Sequence, residues 1–218
     1  MVEAPSFAST YANKGSRSSA RRQVTDALLQ VITEQNACLD DHVERVSELS
    51  GALAEALGQP EHEVQRIRLA ARLHDVGKTA IPAAILDKPG PLDEREWEFI
   101  RRHPLIGERI VAAAPALANA GALIRSSHER IDGLRYPDGL TGQNIPLGLR
   151  IIAVCDAFDA MTSDRIYRRR IGTGAALEQL ERHAGTSSMR RSSTRSAERF
   201  TLHSQSLASR ATCGPPRS

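Results

Sequence analysis

A histidine followed directly by an aspartate, His74-Asp75, stands in the stretch LHDVGK. Imidazole nitrogens and carboxylate oxygens both ligate divalent transition metals. The adjoining Gly77 and Lys78 add a sharp turn of the chain and a cation suited to a phosphate. An HD dipeptide alone carries little information. Here four further ligand types, His42, His103, His128 and Asp156, lie near predicted helix boundaries, where side chains from separate helices converge on one bundle core. Neutral imidazoles and carboxylates suit Fe, Mn, Zn or Ni, and a carboxylate such as Asp75 can bridge two ions. Two ions ~3.5–4 Å apart would hold water as a bridging hydroxide and clamp the attacking and leaving oxygens of a phosphoester displacement. The set points to a metal-dependent hydrolase, with Lys78 about one turn away to neutralise the charge that develops on phosphorus.

The elements that must position these groups follow from apolar spacing. Val24, Leu28 and Val31 predict a helix over 23–35, and His42, Val46, Leu49 and Leu53 share the face of a second that ends at Gly58. Glu61 opens a third, in which Val64, Ile67, Ala71 and His74 fall on one side and Gly77 makes the stop. IPAAIL forms a short turn or helix, and Pro89-Gly90-Pro91 punctuates before LDEREWEFIRRH. His103-Pro104 predicts a junction between helices, because proline lacks an amide and restrains the residue before it. A helix from about 116 to 130 follows, then a loop over 132–145. Pro146 begins a helix carrying Ile152, Asp156 and Asp159 on one side, and a last helix covers 175–183. No convincing strand alternation occurs, so the expected fold is an all-α helical bundle. His62 and His183, beside charged neighbours, read as ordinary surface residues, and His203 falls in the tail.

Composition narrows the class. The 218 residues suffice for one domain with a core. One Trp, three Tyr and four Phe imply a core of Ala, Leu, Ile and Val. The net charge of +3 is unevenly spread: residues 187–218 hold six arginines against Glu198, or +5, which leaves −2 for the rest. A nucleic-acid face is therefore not expected. No apolar run reaches the ~18 residues of a membrane span, and the N-terminus lacks a signal pattern, so the chain reads as soluble and cytoplasmic with no membrane partner. Cys38, Cys155 and Cys213 have no paired spacing and imply no disulfide framework.

With these residues in view, the chain resembles the HD-GYP phosphodiesterases of bacterial signalling. The resemblance runs from about 23 to 185 through HVERV (42–46), LHDVGKTAIP (73–82), ILDKPGPLD (85–93), HPLIGERI (103–110), HERIDGLRYPDGLTG (128–142) and IPLGLRIIAVCDAFDAMTSDRIYR (145–168). It implies an HD-domain helical bundle and hydrolysis of cyclic di-GMP to the linear dinucleotide or to GMP. It also implies two divalent ions, Fe, Mn or similar. His42, His74, Asp75 and Asp156 would serve the first, and His103 and His128 the second, with Asp75 bridging. Asp75 and Lys78 would be catalytic. Lys78, Tyr136 and Arg165 would contact substrate.

The departures from that family set further expectations. Ser127-His128 stands where family members commonly carry two histidines, and Cys38 stands where three-metal members carry a glutamate, so two ions rather than three are expected. Arg135 replaces the glycine of Gly-Tyr-Pro; if that position needs a positive φ, arginine costs on the order of 1 kcal/mol. Thr10 to Lys14 resembles the closing turn of a diguanylate cyclase (GGDEF) domain, so residues 1–20 read as a tail or linker remnant, 21–186 as the HD-GYP domain and 187–218 as a disordered basic tail. The tail SSMRRSSTRSAER can be encoded by bases that, read one position over, spell QFDAAVVDAVGGA, which restores the family's F-D pair and an amphipathic helix. A shifted reading frame after about residue 186 is the expectation, and the nucleotide sequence tests it. Three functions follow: a cyclic di-GMP phosphodiesterase; a degenerate module binding nucleotide or a signalling partner such as a GGDEF domain; or an HD phosphohydrolase of another nucleotide. A homodimer is compatible with each.

Overall fold

The structure, a computed structural model, describes residues 19–31, 34, 39–164 and 169–182. The expectations for residues 1–18, Cys38, Arg165, His183, His203, Cys213 and the tail from 187 therefore lie outside the described residues. Eight α-helices, with short 3-10 segments between them, make up the described fold: α1 (residues 19–31), α2 (Leu39–Ala56), α3 (Glu61–Leu73), α4 (Ala83–Leu86), α5 (Glu94–Ala112), α6 (Gly121–Arg125), α7 (Leu147–Thr162) and α8 (Thr173–Arg182). The sole β feature among the described residues is an isolated bridge between Asp132 and Thr141.

Helices α2, α3 and α7 form the centre. Val46, Leu49 and Leu53 of α2 meet Val64, Ile67 and Ala71 of α3, all buried, as the helical period requires. α7 is enclosed on most sides, with Leu149, Ile151, Ile152, Cys155 and Phe158 in the core, which is why its sequence is almost continuously apolar. α2 ends where expected: Gly58 takes φ +72°, and the Gln59 amide reaches back to the Ala54 carbonyl at 3.0 Å. At the start of α5 the Asp93 carboxylate accepts the Glu96 amide and the Glu96 carboxylate accepts the Asp93 amide, closing a capping box.

Three local expectations are corrected. His103-Pro104 is not a junction, because α5 runs unbroken from Glu94 to Ala112 with Pro104 inside it. The helix is held by its capping box and by packing against Val76–Ala80 and α6, which outweighs the missing amide. Gly77 is not a helix stop. α3 already ends at Leu73, and Gly77 lies within a 3-10 segment, Val76–Ala80, without a positive φ. Its job is contact: a Cβ there would stand 1.9 Å from the His103 carbonyl oxygen and 2.7 Å from the Gly107 amide nitrogen. Finally, the helix predicted over 116–130 is reduced to a 3-10 turn at Ala118–Ala120 and the short α6, after which the chain turns through Ser126 to His128.

Candidate metal centre

The end of α3 delivers the HD pair. His74 is the first residue past the helix and keeps helical angles; Asp75 then turns the chain into Val76–Ala80. Both are buried. The glycine contact described above draws this segment onto α5, so that Asp75 faces His103. α2 brings His42 from one side and α7 brings Asp156, while His128 comes from the turn after α6.

Two groups of potential ligand atoms result. His42, His74 and Asp156 form one and Asp75, His103 and His128 the other, the atoms of each lying within 4.8 Å of one another. Asp75 joins the groups. Its Oδ2 lies 3.4 Å from His74 Nε2, and its Oδ1 lies 3.4 Å from His103 Nε2 and 3.7 Å from His128 Nε2. Oδ1 is buried without a hydrogen-bond partner among the described residues. A buried carboxylate oxygen left unpaired is costly, and a cation between it and the two imidazoles would relieve that cost. The His103 and His128 Nε2 atoms are 2.9 Å apart. Two nitrogens each about 2.1 Å from one ion and at right angles would be ~3 Å apart, so the separation fits a shared ion.

Ring orientation is fixed from behind. His74 Nδ1 donates to the Ala71 carbonyl at 2.8 Å and His103 Nδ1 to the Ile100 carbonyl at 2.6 Å, leaving both Nε2 atoms facing the site. His42 Nδ1 donates to Asp159 Oδ2 at 2.6 Å, and Arg45 donates to the same carboxylate at 2.6 Å. Burial disfavours charge on Asp159, but the hydrogen bonds from His42 and Arg45 outweigh it and hold the carboxyl below its usual range. Burial likewise works against a charged His42, yet Asp156 and Asp159 together raise its pKa to about 9. Asp75 is buried too, and the charges of His74 and Lys78 still keep it well below the normal carboxylate value. Lys78 donates to Asp75 Oδ2 at 2.5 Å, so its ammonium is held on the HD carboxylate and its pKa is raised in spite of burial.

Asp159 was visible in the sequence only as a neighbour of Asp156 on one face; its burial is what marks it as the partner of His42. Replacing it with asparagine keeps the shape and removes the charge. We expect Asp159→Asn to lower the His42 pKa from about 9, with Asp156 still holding part of the rise, and to weaken metal binding roughly 10–100-fold. Imidazole NMR titration of the metal-free chain and a manganese titration check the two halves.

The loop over 132–145 supplies the rim. The Tyr136 ring stacks on His128, 5.3 Å between centroids and 12° between planes, which sets it over the second group. Arg135 is exposed and its φ is not positive, so the expected backbone strain is absent. Glu129, unremarked in the sequence, anchors this loop: buried beneath it, the carboxylate accepts the Asp138 amide at 2.6 Å and the Leu140 amide at 2.9 Å. Arg125 grips Asp138 from outside with two bonds of 2.7 Å. Glu129→Ala would leave two amides unpaired, at roughly 1–3 kcal/mol each. Faster hydrogen exchange at Asp138 and Leu140 and a lower melting temperature are the expected results; unchanged exchange would reject the anchor. Among the other predicted residues, His62 is exposed as expected, Cys155 is buried and unpaired, and no described helix is long and apolar enough to cross a membrane.

Comparison with known proteins agrees with this picture. The HD domain family model matches residues 26–189. The cyclic di-GMP phosphodiesterase response regulator RpfG of Xanthomonas campestris pv. campestris is 43% identical over 166 residues, covering 75% of this chain and 44% of that protein. The 3'3'-cGAMP-specific phosphodiesterase 3 of Vibrio cholerae is 33% identical over 163 residues, covering 75% of this chain and 35% of its own length. The chain thus spans less than half of either relative. In fold it is similar to the HD domain of the L. monocytogenes phosphodiesterase PgpH, solved in complex with cyclic-di-AMP, with a TM-score of 0.60 at 15% identity over 88% of this chain and 100% of that one. A helical bundle that gathers the HD pair and its partner histidines at one centre, matched by the family model over most of its length, belongs to the HD domain family, in its HD-GYP group.

Proposed function

We propose that this chain is a metal-dependent phosphodiesterase that hydrolyses cyclic di-GMP to the linear dinucleotide or to GMP. One observation carries the reading: the Asp75 carboxylate spans two His/Asp groups, with one oxygen buried and unpaired on the side of His103 and His128. Relatives named for cyclic di-GMP and for 3'3'-cGAMP support a cyclic dinucleotide as substrate.

In this reading His42, His74 and Asp156 would hold one divalent ion and His103 and His128 the other, with Asp75 common to both. Bound there, Fe, Mn or a similar pair supplies Lewis acidity and an activated water. The remaining work falls to side chains. Asp159 and the carbonyls of Ala71 and Ile100 fix the imidazoles that face the site. Lys78 keeps a positive charge beside Asp75, where negative charge builds on the phosphoryl oxygens during displacement. Tyr136, over His128, borders the position a phosphate would take. Arg165 is proposed as a phosphate or guanine contact on the sequence resemblance, since a guanidinium fork engages two phosphate oxygens at once.

Incubating the chain with manganese or ferrous iron and cyclic di-GMP, then separating nucleotides by chromatography, tests the proposal. Linear product that disappears on chelation is expected, and Lys78→Met should lower kcat roughly 100-fold with metal content unchanged. Turnover that survives chelation would contradict the reading. A second reading, a nucleotide-binding module without turnover, is favoured by Ser127, whose buried hydroxyl has no partner among the described residues and stands where the group commonly has a further histidine. Nucleotide binding by calorimetry without product would favour that module.

A further inference from the structure

We infer that Pro104 is a positioning residue for His103: by withholding a backbone amide it reserves the Ile100 carbonyl for the His103 imidazole and aims Nε2 into the site. The inference rests on the metal-binding reading of Asp75, His103 and His128. In an uninterrupted α-helix each carbonyl accepts the amide four residues on. For Ile100 that amide would belong to residue 104, and proline has none. α5 nevertheless continues past this point to Ala112, so the gap lies inside a helix rather than at its end.

His103 Nδ1 fills the gap at 2.6 Å from the Ile100 oxygen. A carbonyl oxygen only accepts, so Nδ1 carries a proton, and Nε2 stands 3.4 Å from Asp75 Oδ1 and 2.9 Å from His128 Nε2. His74 gives an internal comparison. Its Nδ1 makes the same bond, to the carbonyl three residues back, at 2.8 Å from Ala71. α3 ends at Leu73, however, and the Ala71 carbonyl belongs to the last turn, whose carbonyls lack helical donors in any case. His103 sits mid-helix, where a carbonyl ordinarily already holds an amide donor, and Pro104 takes that donor away. Two imidazoles reach one geometry by two routes, a helix end and an internal proline. This also explains how α5 tolerates Pro104: the carbonyl that proline orphans is satisfied by a ligand candidate instead of being lost.

The test compares the full chain with Pro104→Ala and Pro104→Gly, both of which restore the amide. In the metal-free parent, nitrogen-15 imidazole spectra at neutral pH, assigned with His103→Gln, should show His103 as the Nδ1–H tautomer alone. Each proline variant should show a mixture of tautomers. Titration with manganese chloride should then find one of two sites weakened about 10–100-fold, with the melting temperature of Pro104→Ala unchanged or raised, as alanine suits a helix interior. An Nε2–H tautomer in the parent would overturn the inference. So would variants that melt earlier while keeping the parent tautomer and affinity, the result a packing role alone would give. A parent that binds no manganese would reject the metal reading, while the tautomer comparison would still decide the role of Pro104.

Discussion

Asp75→Asn should abolish turnover, lowering kcat/KM at least a thousandfold, equivalent to ~4 kcal/mol of transition-state stabilisation. The substitution is nearly isosteric, so packing around position 75 is conserved. What it removes is the single charge shared by both ligand groups. Asp75 Oδ1 faces His103 and His128, and Oδ2 faces His74 and Lys78. An asparagine can offer one neutral oxygen to one group and presents its amide to the other. Both proposed ions therefore lose a ligand in one step, and Lys78 loses the carboxylate that holds it in place. His128 variants should be milder, because that residue belongs to one group and is partly exposed. Steady-state kinetics together with metal content distinguish the two cases; equal losses for Asp75→Asn and His128→Asn would count against a shared carboxylate.

Gly77→Ala, a change of one methyl outside the ligand set, should destabilise the domain by roughly 3 kcal/mol, since overpacking commonly costs 1–3 kcal/mol and here meets backbone. The added carbon would lie 1.9 Å from the His103 carbonyl oxygen and 2.7 Å from the Gly107 nitrogen, atoms that cannot rotate away as a side chain can. Gly107 on the facing helix is close too, though against a side chain, its own Cβ position 2.9 Å from Ile124 Cγ2. Relief requires Val76–Ala80 to move off α5, and that motion separates Asp75 from His103. A melting temperature lower by about 6–12 °C is expected for a chain of this size. Metal content should fall with it. If melting and metal binding both match the parent, the close approach of these two segments does not position the site.

Much of this architecture is legible in the residues, and its misreadings share a cause. Helices with an apolar stripe, α2 and α3, follow from periodicity because burial and period are the same fact seen twice, and the nearly unbroken apolar run of α7 marks a helix enclosed on most sides. The ligand candidates are equally visible, since His and Asp on such stripes demand an explanation. Pro104 and Gly77 were misread because rules for proline and glycine describe an isolated chain, whereas here each residue answers to a neighbour: a ring that takes a carbonyl, a backbone that needs room. Asp159 and Glu129 passed without a role for a related reason. A carboxylate reads as solvated until burial shows that it must be paired, and burial is a property of the assembled fold. His42 and Arg45, which mark the role of Asp159, lie 117 and 114 residues from it, and the amides that Glu129 holds lie 9 and 11 residues on in a loop, so local sequence flags neither.

In the proposed function, the two His/Asp groups joined by Asp75 hold two ions. The most direct test of this is elemental analysis of the chain purified with manganese or ferrous iron and freed of loosely bound ions. About two ions per chain in the parent, with fewer than one in Asp75→Ala, is the predicted result. No bound metal in the parent, or a metal content that Asp75→Ala leaves unchanged, would contradict it.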